Sequence, residues 1–140
     1  AKGEKSIIHT PNATRPWQHV LEPLQGYLLL GQKILEGENV NRAWNFGPEG
    51  EMTVLEVLTL ANSVWPNIKW KFDDIPTHPH MIYLLKIDST ESRKLLEWKP
   101  KWNMTQAIIT TVGWYKRYYE TGEVATVENI QDYMNSGQVS

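Results

Sequence analysis

Read for hydrophobic periodicity, the chain alternates short β-leaning runs with longer amphipathic stretches. Ser6-Ile7-Ile8-His9 is a β-leaning run ended by the turn cluster Thr10-Pro11-Asn12-Ala13. Trp17-Gln18-His19-Val20 alternates apolar and polar and predicts a second short strand, with Pro16 confining it to an edge. Leu21, Leu24, Leu28 and Leu35 then fall at helical spacing, with Pro23 tolerable in the first turn and Gly37 past the end. That stripe predicts an amphipathic helix packed on something. Arg42–Phe46 reads as a third strand, closed by the turn Gly47-Pro48-Glu49-Gly50.

The second half follows the same grammar. Thr53 and Glu56 have capping-box spacing before an apolar face of Val54, Val57, Leu58, Ala61 and Trp65, and Pro66 stops the helix. Lys69–Phe72 alternates as a fourth strand, and Tyr83–Ile87 is a brief extended segment. Asp88 with Glu91 predicts a cap for a helix running to about Trp98. Asn103 with Gln106 predicts another, whose face of Ile108, Val112, Tyr115 and Tyr119 ends at Gly122. A last amphipathic piece covers about Val127 to Met134, leaving 136–140 as a frayed tail. The strands are too few and scattered for a free-standing doubly wound sheet. The fold class expected is a small α/β lobe with about five helices and a few short strands, one that needs another sheet to lean on.

Composition narrows the function. With 140 residues the chain has the length of one domain, and 41% hydrophobic with 21% charged residues is ordinary globular stock. A formal net charge of −2 argues against a general nucleic-acid or acidic-membrane binder. The longest apolar run, Tyr27–Leu30, is far short of the ~18 residues of a spanning helix. The absence of cysteine excludes a disulfide framework and thiol catalysis, and fits a reducing cytoplasm. The seven Trp predict a core or ligand surface rich in aromatic area.

No G-x-G-x-x-G or P-loop occurs among the dispersed glycines, nor any H-E-x-x-H or G-x-S-x-G, so the chain carries no complete active site by motif. Two segments hold candidate chemistry. Arg15 follows a turn and precedes a strand, where its guanidinium fork either grips phosphate oxygens or lies on the surface stacked on Trp17. His78-Pro79-His80 places two imidazoles in a loop; with only His9 and His19 besides, hydrogen bonding to a ligand or to the loop is favoured over a metal.

The run Asn12-Ala13-Thr14-Arg15-Pro16-Trp17-Gln18-His19-Val20-Leu21-Glu22-Pro23-Leu24, continuing through Gly26–Leu30, closely resembles a stretch of the CDP-glucose 4,6-dehydratases. These are nucleotide-sugar enzymes of the extended short-chain dehydrogenase/reductase superfamily. Trp44–Pro48, His78–His80, Leu85–Asp88, Leu96–Asn103, Gly113–Lys116 and the tail Glu128–Asn135 match in order, so the resemblance covers about Ser6 to Asn135. Where that subfamily would carry Glu and His, this chain has Met81 and Tyr83, and Glu97 replaces a Gly ahead of Trp98.

The resemblance implies the C-terminal substrate-binding lobe alone. The N-terminal Rossmann lobe, with the NAD-binding turn and the Tyr-x-x-x-Lys pair, has no counterpart in the sequence. It implies that no catalytic or cofactor-binding residue lies in this chain, that the parent is a cytoplasmic, NAD-dependent enzyme converting CDP-glucose to CDP-4-dehydro-6-deoxyglucose, and that the parent forms homodimers. It further implies that Arg15 holds the diphosphate, that Trp17 and His19 shape the same pocket, and that His78 and His80 reach the nucleotide. An apolar patch is expected where the other lobe packs. The alternatives are the lobe of another nucleotide-sugar epimerase or dehydratase, and a stand-alone sugar-nucleotide-binding or interaction module.

Overall fold

A computed structural model describes residues 4–73 and 83–137. Its elements in chain order are β1 (Ser6–Ile8), β2 (Thr14–Arg15), α1 (Leu21–Leu35), β3 (Met52–Thr53), α2 (Val54–Val64), β4 (Trp70–Phe72), α3 (Thr90–Leu95), α4 (Met104–Thr121) and α5 (Thr126–Asn135). Among the described residues, five helices and four short strands make the small α/β lobe that the sequence leads one to expect. The strands form two separate ribbons among the described residues. In one, β1 runs parallel to β4 with Ser6 opposite Trp70; in the other, β2 runs antiparallel to β3 with Arg15 opposite Met52. Ribbons of two strands are marginal alone in water, so helices carry most of this fold.

Local chemistry fixes the helix ends. Thr53 and Glu56 complete the capping box: the Thr53 hydroxyl accepts from the Glu56 amide, and the Glu56 carboxylate accepts from the Thr53 amide at 2.7 Å. Asn103 caps α4 by accepting from the Gln106 amide, and Gly122 closes that helix in the left-handed region, where a Cβ would be strained. At α3 the cap differs from expectation. Ser89 is the N-cap residue, and Asp88 accepts from the Thr90 amide while Glu91 does not reach back. The helix also stops at Leu95 rather than Trp98, because Glu97 turns left-handed at φ 56°.

Two expected strands are absent. Residues 17–20 pass from loop into α1, β2 having already ended at Arg15. The 42–46 segment forms no ladder, because side chains stand where a neighbouring strand would be. Its carbonyls accept from Ser92 at Asn45, from Gln18 at Phe46 and from Arg93 at Gly47. Ser89 accepts from the Gly47 amide at 2.8 Å. Those donors satisfy a buried backbone as a strand would. Of the expected 83–87 strand, only a parallel bridge between Leu84 and Thr14 remains.

The core has two centres. Phe46, Leu96 and Trp98 are buried together, with Leu29, Leu30, Val40 and Trp44 packed against them. Gly26 lets α1 approach this cluster, since a Cβ there would lie 2.4 Å from the Phe46 ring. The second centre is a buried carboxylate. Glu22, with 0% of its surface exposed, accepts from the Trp102 amide at 2.7 Å, the Lys101 amide at 3.0 Å and the Tyr133 hydroxyl at 2.7 Å. Around it His19, Trp102 and Tyr133 meet edge to face, and Lys101 lies over the Tyr133 ring. Elsewhere α2 packs on α4, with Trp65 stacked on Tyr119 and Lys116 donating to the Val64 carbonyl.

The stripe expected to anchor α1 faces the other way. Leu24, Leu28 and Leu35 are 45%, 76% and 90% exposed, with Val20 and Tyr27 also exposed beside them. The face that packs inward carries Glu22, Gly26, Leu29 and Leu30. Periodicity identified an apolar face without saying that a second, mixed face would be the covered one.

Candidate functional site

The 13–19 segment is built as a rigid edge. Ala13 is completely buried and its carbonyl accepts from the Val54 amide, so the strand is locked to the start of α2. The Thr14 amide donates to the Tyr83 carbonyl at 2.8 Å on the opposite side. Between these anchors Arg15 is half-buried, and its Nη1 donates only to the Thr14 carbonyl, at 2.7 Å. Among the described residues no carboxylate pairs with it. The nearby acids are taken: Glu51 pairs with Lys86 and Glu49 with Arg93. Nor is Arg15 stacked on Trp17, since the cation–π contacts are Arg42 with Trp44 and Lys101 with Tyr133. Trp17 instead donates its indole N–H to the Met52 carbonyl at 3.0 Å, fixing the ring to the backbone of β3. Arg15 and Trp17 therefore belong to one geometric unit on the β2–β3 ribbon.

His19 belongs to a different one. It is buried against Trp102 with ring centroids 4.9 Å apart, and its Nδ1 accepts from the Leu21 amide at 3.3 Å. That bond leaves the proton on Nε2. Burial lowers the pKa below the ordinary histidine range, because the charged form loses its hydration, so the ring is neutral at neutral pH. His78 and His80 lie outside the described residues.

One hollow borders the segment and a second meets β3 at Met52. One of about 400 Å³ lies between Gln18–Leu21, α4 and α5, with His19, Trp114, Tyr115 and Asn129 in its wall. The other, about 620 Å³, is framed by Glu49, Met52 and the Lys99–Gln106 stretch leading into α4. Reading the sequence had missed Glu22, whose position in the first turn of a helix looks like an ordinary dipole-favoured acid. It had also missed Asn129 and Thr111, which no local motif singles out. Among the described residues there is no cluster of three potential metal ligands, and no helix is long and apolar enough to cross a membrane.

No protein-family model matches the chain. A curated relative does: the chain is 34% identical to a CDP-glucose 4,6-dehydratase of Salmonella typhimurium over 95% of its own length and 38% of that protein's. The chain thus spans less than two fifths of the relative it matches. Among solved structures, a UDP-glucuronic acid 4-epimerase from Bacillus cereus, in complex with UDP-glucuronic acid and NAD, aligns with a TM-score of 0.69 at 12% identity, covering 84% of this chain and 37% of its own. A dTDP-glucose 4,6-dehydratase from Bacillus anthracis in complex with NAD aligns with a TM-score of 0.63 at 20% identity, covering 85% and 36%. The Arg15-containing run that carried the resemblance lies in a chain related to such enzymes along almost its whole sequence, while the fold recurs over little more than a third of each larger structure. The chain is similar to a CDP-glucose 4,6-dehydratase along nearly all of its own sequence, over a stretch that fits a C-terminal portion of that larger enzyme, and it shares the fold of part of larger nucleotide-sugar dehydratases and epimerases.

Proposed function

We propose that this chain is the substrate-binding lobe of an NAD-dependent nucleotide-sugar dehydratase, acting on CDP-glucose in the cytoplasm and joined to a dinucleotide-binding lobe that supplies cofactor and catalytic groups. The observation that carries the reading is Arg15: a guanidinium held rigidly on the β2–β3 ribbon, with its charge uncompensated by any described carboxylate. Such a fork suits two oxygens of a diphosphate, and it stays charged at every relevant pH. Trp17, pinned to Met52, walls the same site. His19 holds the far end of the segment, and His78 and His80 are assigned to the nucleotide.

Grip on the diphosphate and nucleoside places the hexose precisely, and that remote binding energy is what oxidation and elimination at the sugar ring require. NAD, when bound by the larger enzyme, would supply the hydride acceptor. Among the described residues, the direct passage from strand to helix, β3 into α2 at Thr53-Val54, has no glycine turn of the kind that cradles a dinucleotide. The exposed α1 face of Leu24, Leu28 and Leu35 supports a covering lobe, since apolar side chains in that number gain by leaving water.

The first test is the intact mass of the native polypeptide, with its upstream peptides sequenced. A mass of roughly 40 kDa, by the 38% share of the relative, with a Gly-rich turn upstream supports the lobe reading; a native mass of 16.2 kDa overturns it. In the larger protein, Arg15→Ala should raise KM for CDP-glucose about 10–100-fold, the loss of one charge-assisted contact. Unchanged KM refutes the role of Arg15. The 140-residue chain alone should show no turnover of CDP-glucose and no shift of Tm with NAD.

A further inference from the structure

The hollow of about 400 Å³ beside His19 has the makings of a ligand site that the Arg15 reading does not use. Three elements build it: the Gln18–Leu21 turn, the middle of α4 and the first turns of α5. Its size lies within the range of small-molecule pockets. One wall is aromatic and fixed. The Trp114 indole N–H donates to the Thr126 hydroxyl at 3.0 Å, while Tyr118 stacks on the ring at 5.5 Å and Tyr115 meets it edge-on at 5.0 Å. A ring held from two sides keeps its orientation before any ligand arrives, so little ordering cost remains.

The rest of the wall is uncharged and mixes the apolar side chains of Val20, Leu21 and Ile130 with a few polar groups. The Asn129 carboxamide, which offers two donors and an acceptor, makes no hydrogen bond among the described residues. The Thr126 hydroxyl accepts from Trp114 and still has a proton to donate, and the Thr111 hydroxyl donates to the Ala107 carbonyl and keeps free lone pairs. His19 uses Nδ1 for the Leu21 amide, leaving Nε2–H as a donor. No residue in the wall carries a charge, and the Arg117 guanidinium of α4 is committed to Glu123 and Glu128. A phosphate or carboxylate would find no counter-charge here. A wholly apolar guest would leave the amide and hydroxyls desolvated without partners, at a cost.

The geometry points to a binding site between the 18–21 turn, α4 and α5 for an uncharged, polyhydroxylated ring, stacked on Trp114 and hydrogen-bonded through Asn129. The C–H face of such a ring meets the indole, and its edge hydroxyls meet the amide and threonines. The inference does not depend on the role given to Arg15, which is absent from the wall.

The test is a titration of the 140-residue chain with methyl glucopyranoside, followed by the Trp114 indole N–H resonance in nitrogen-15 spectra, with cyclohexanol in parallel. A saturable shift of that resonance with a Kd of about 1 mM is expected. Asn129→Ala should weaken binding ~10-fold, and Trp114→Phe, followed by the backbone amide resonances of α5 instead, should weaken it while leaving the chain folded. Arg15→Ala should leave it unchanged. No saturable shift in the wild-type chain overturns the inference. Binding of cyclohexanol as tight as that of the glycoside, unaffected by Asn129→Ala, also overturns it, because the hollow would then be a plain apolar groove. Loss of the shift in Arg15→Ala would overturn its independence.

Discussion

Removing the Glu22 carboxylate is the sharpest test of how this lobe holds together. In Glu22→Ala the Lys101 amide, the Trp102 amide and the Tyr133 hydroxyl lose their acceptor in a region where Trp102 and Tyr133 are nearly fully buried. An orphaned buried donor costs about 1–3 kcal/mol. Losing the buried charge returns some desolvation energy, and water entering the vacated volume recovers part of the hydrogen bonding, so a net loss of about 3–5 kcal/mol is expected. Against a domain stability of roughly 5–15 kcal/mol, that is a large share. With a urea m value of about 2 kcal/mol/M, the unfolding midpoint should fall by about 2 M.

Tyr133→Phe removes one charge-assisted bond and should cost about 1.5–3 kcal/mol. Combined with Glu22→Gln it should show a coupling of about 1 kcal/mol or more, because the two side chains touch. Burial, and then the hydrogen bond to Glu22, push the Tyr133 phenol well above its ordinary pKa of about 10. This contribution is therefore complete below about pH 10 and is lost as pH rises further, since the unfolded chain ionises first. Tyr133→Phe should lack that alkaline decline. A loss below ~1 kcal/mol in Glu22→Ala, or strict additivity in the double variant, would refute the claim that the carboxylate knits α1 to the C-terminal helices.

Gly26→Ala should destabilise the chain by about 1–3 kcal/mol in chemical denaturation, because the new methyl meets the Phe46 ring and outweighs the gain in helix propensity. Glu97→Gly should stabilise it by about 0.5–1 kcal/mol, since a left-handed φ of 56° strains any residue with a Cβ; equal or lower stability would contradict that. His19 is neutral when folded but protonates in the unfolded chain below about pH 6.5, so its contribution is full above that value and is lost as pH falls. The acid limb of a Tm–pH profile should be shallower in His19→Gln.

What the sequence revealed tracks how local the physics is. The caps at Thr53/Glu56 and Asn103/Gln106 were legible because cap, partner and helix lie within four residues of each other. The 42–46 segment was misread because its partners are the side chains of Gln18, Ser92 and Arg93, and strand propensity carries no information about such distant donors. The α1 stripe was seen but oriented wrongly, because the inward face owes its packing to Gly26 and a clamped Glu22 rather than to leucines. For the candidate site, Arg15 and Trp17 were legible through a contiguous run. His19 shares that run yet turns toward Trp102, a contact 83 residues away that no spacing rule reaches.

The Glu22 clamp also sets an order in time. Its hydroxyl partner lies 111 residues further along the chain, close to the C-terminal end of the described residues. During synthesis the N-terminal part of α1 emerges with an acid that has nowhere dry to go. Long-range closures of this kind slow folding, because the chain entropy is lost before the contact forms. Until Tyr133 has left the ribosome, α1 has reason to stay in water, so the lobe should reach its native packing only after α5 has been synthesised, all at once rather than from α1 onward.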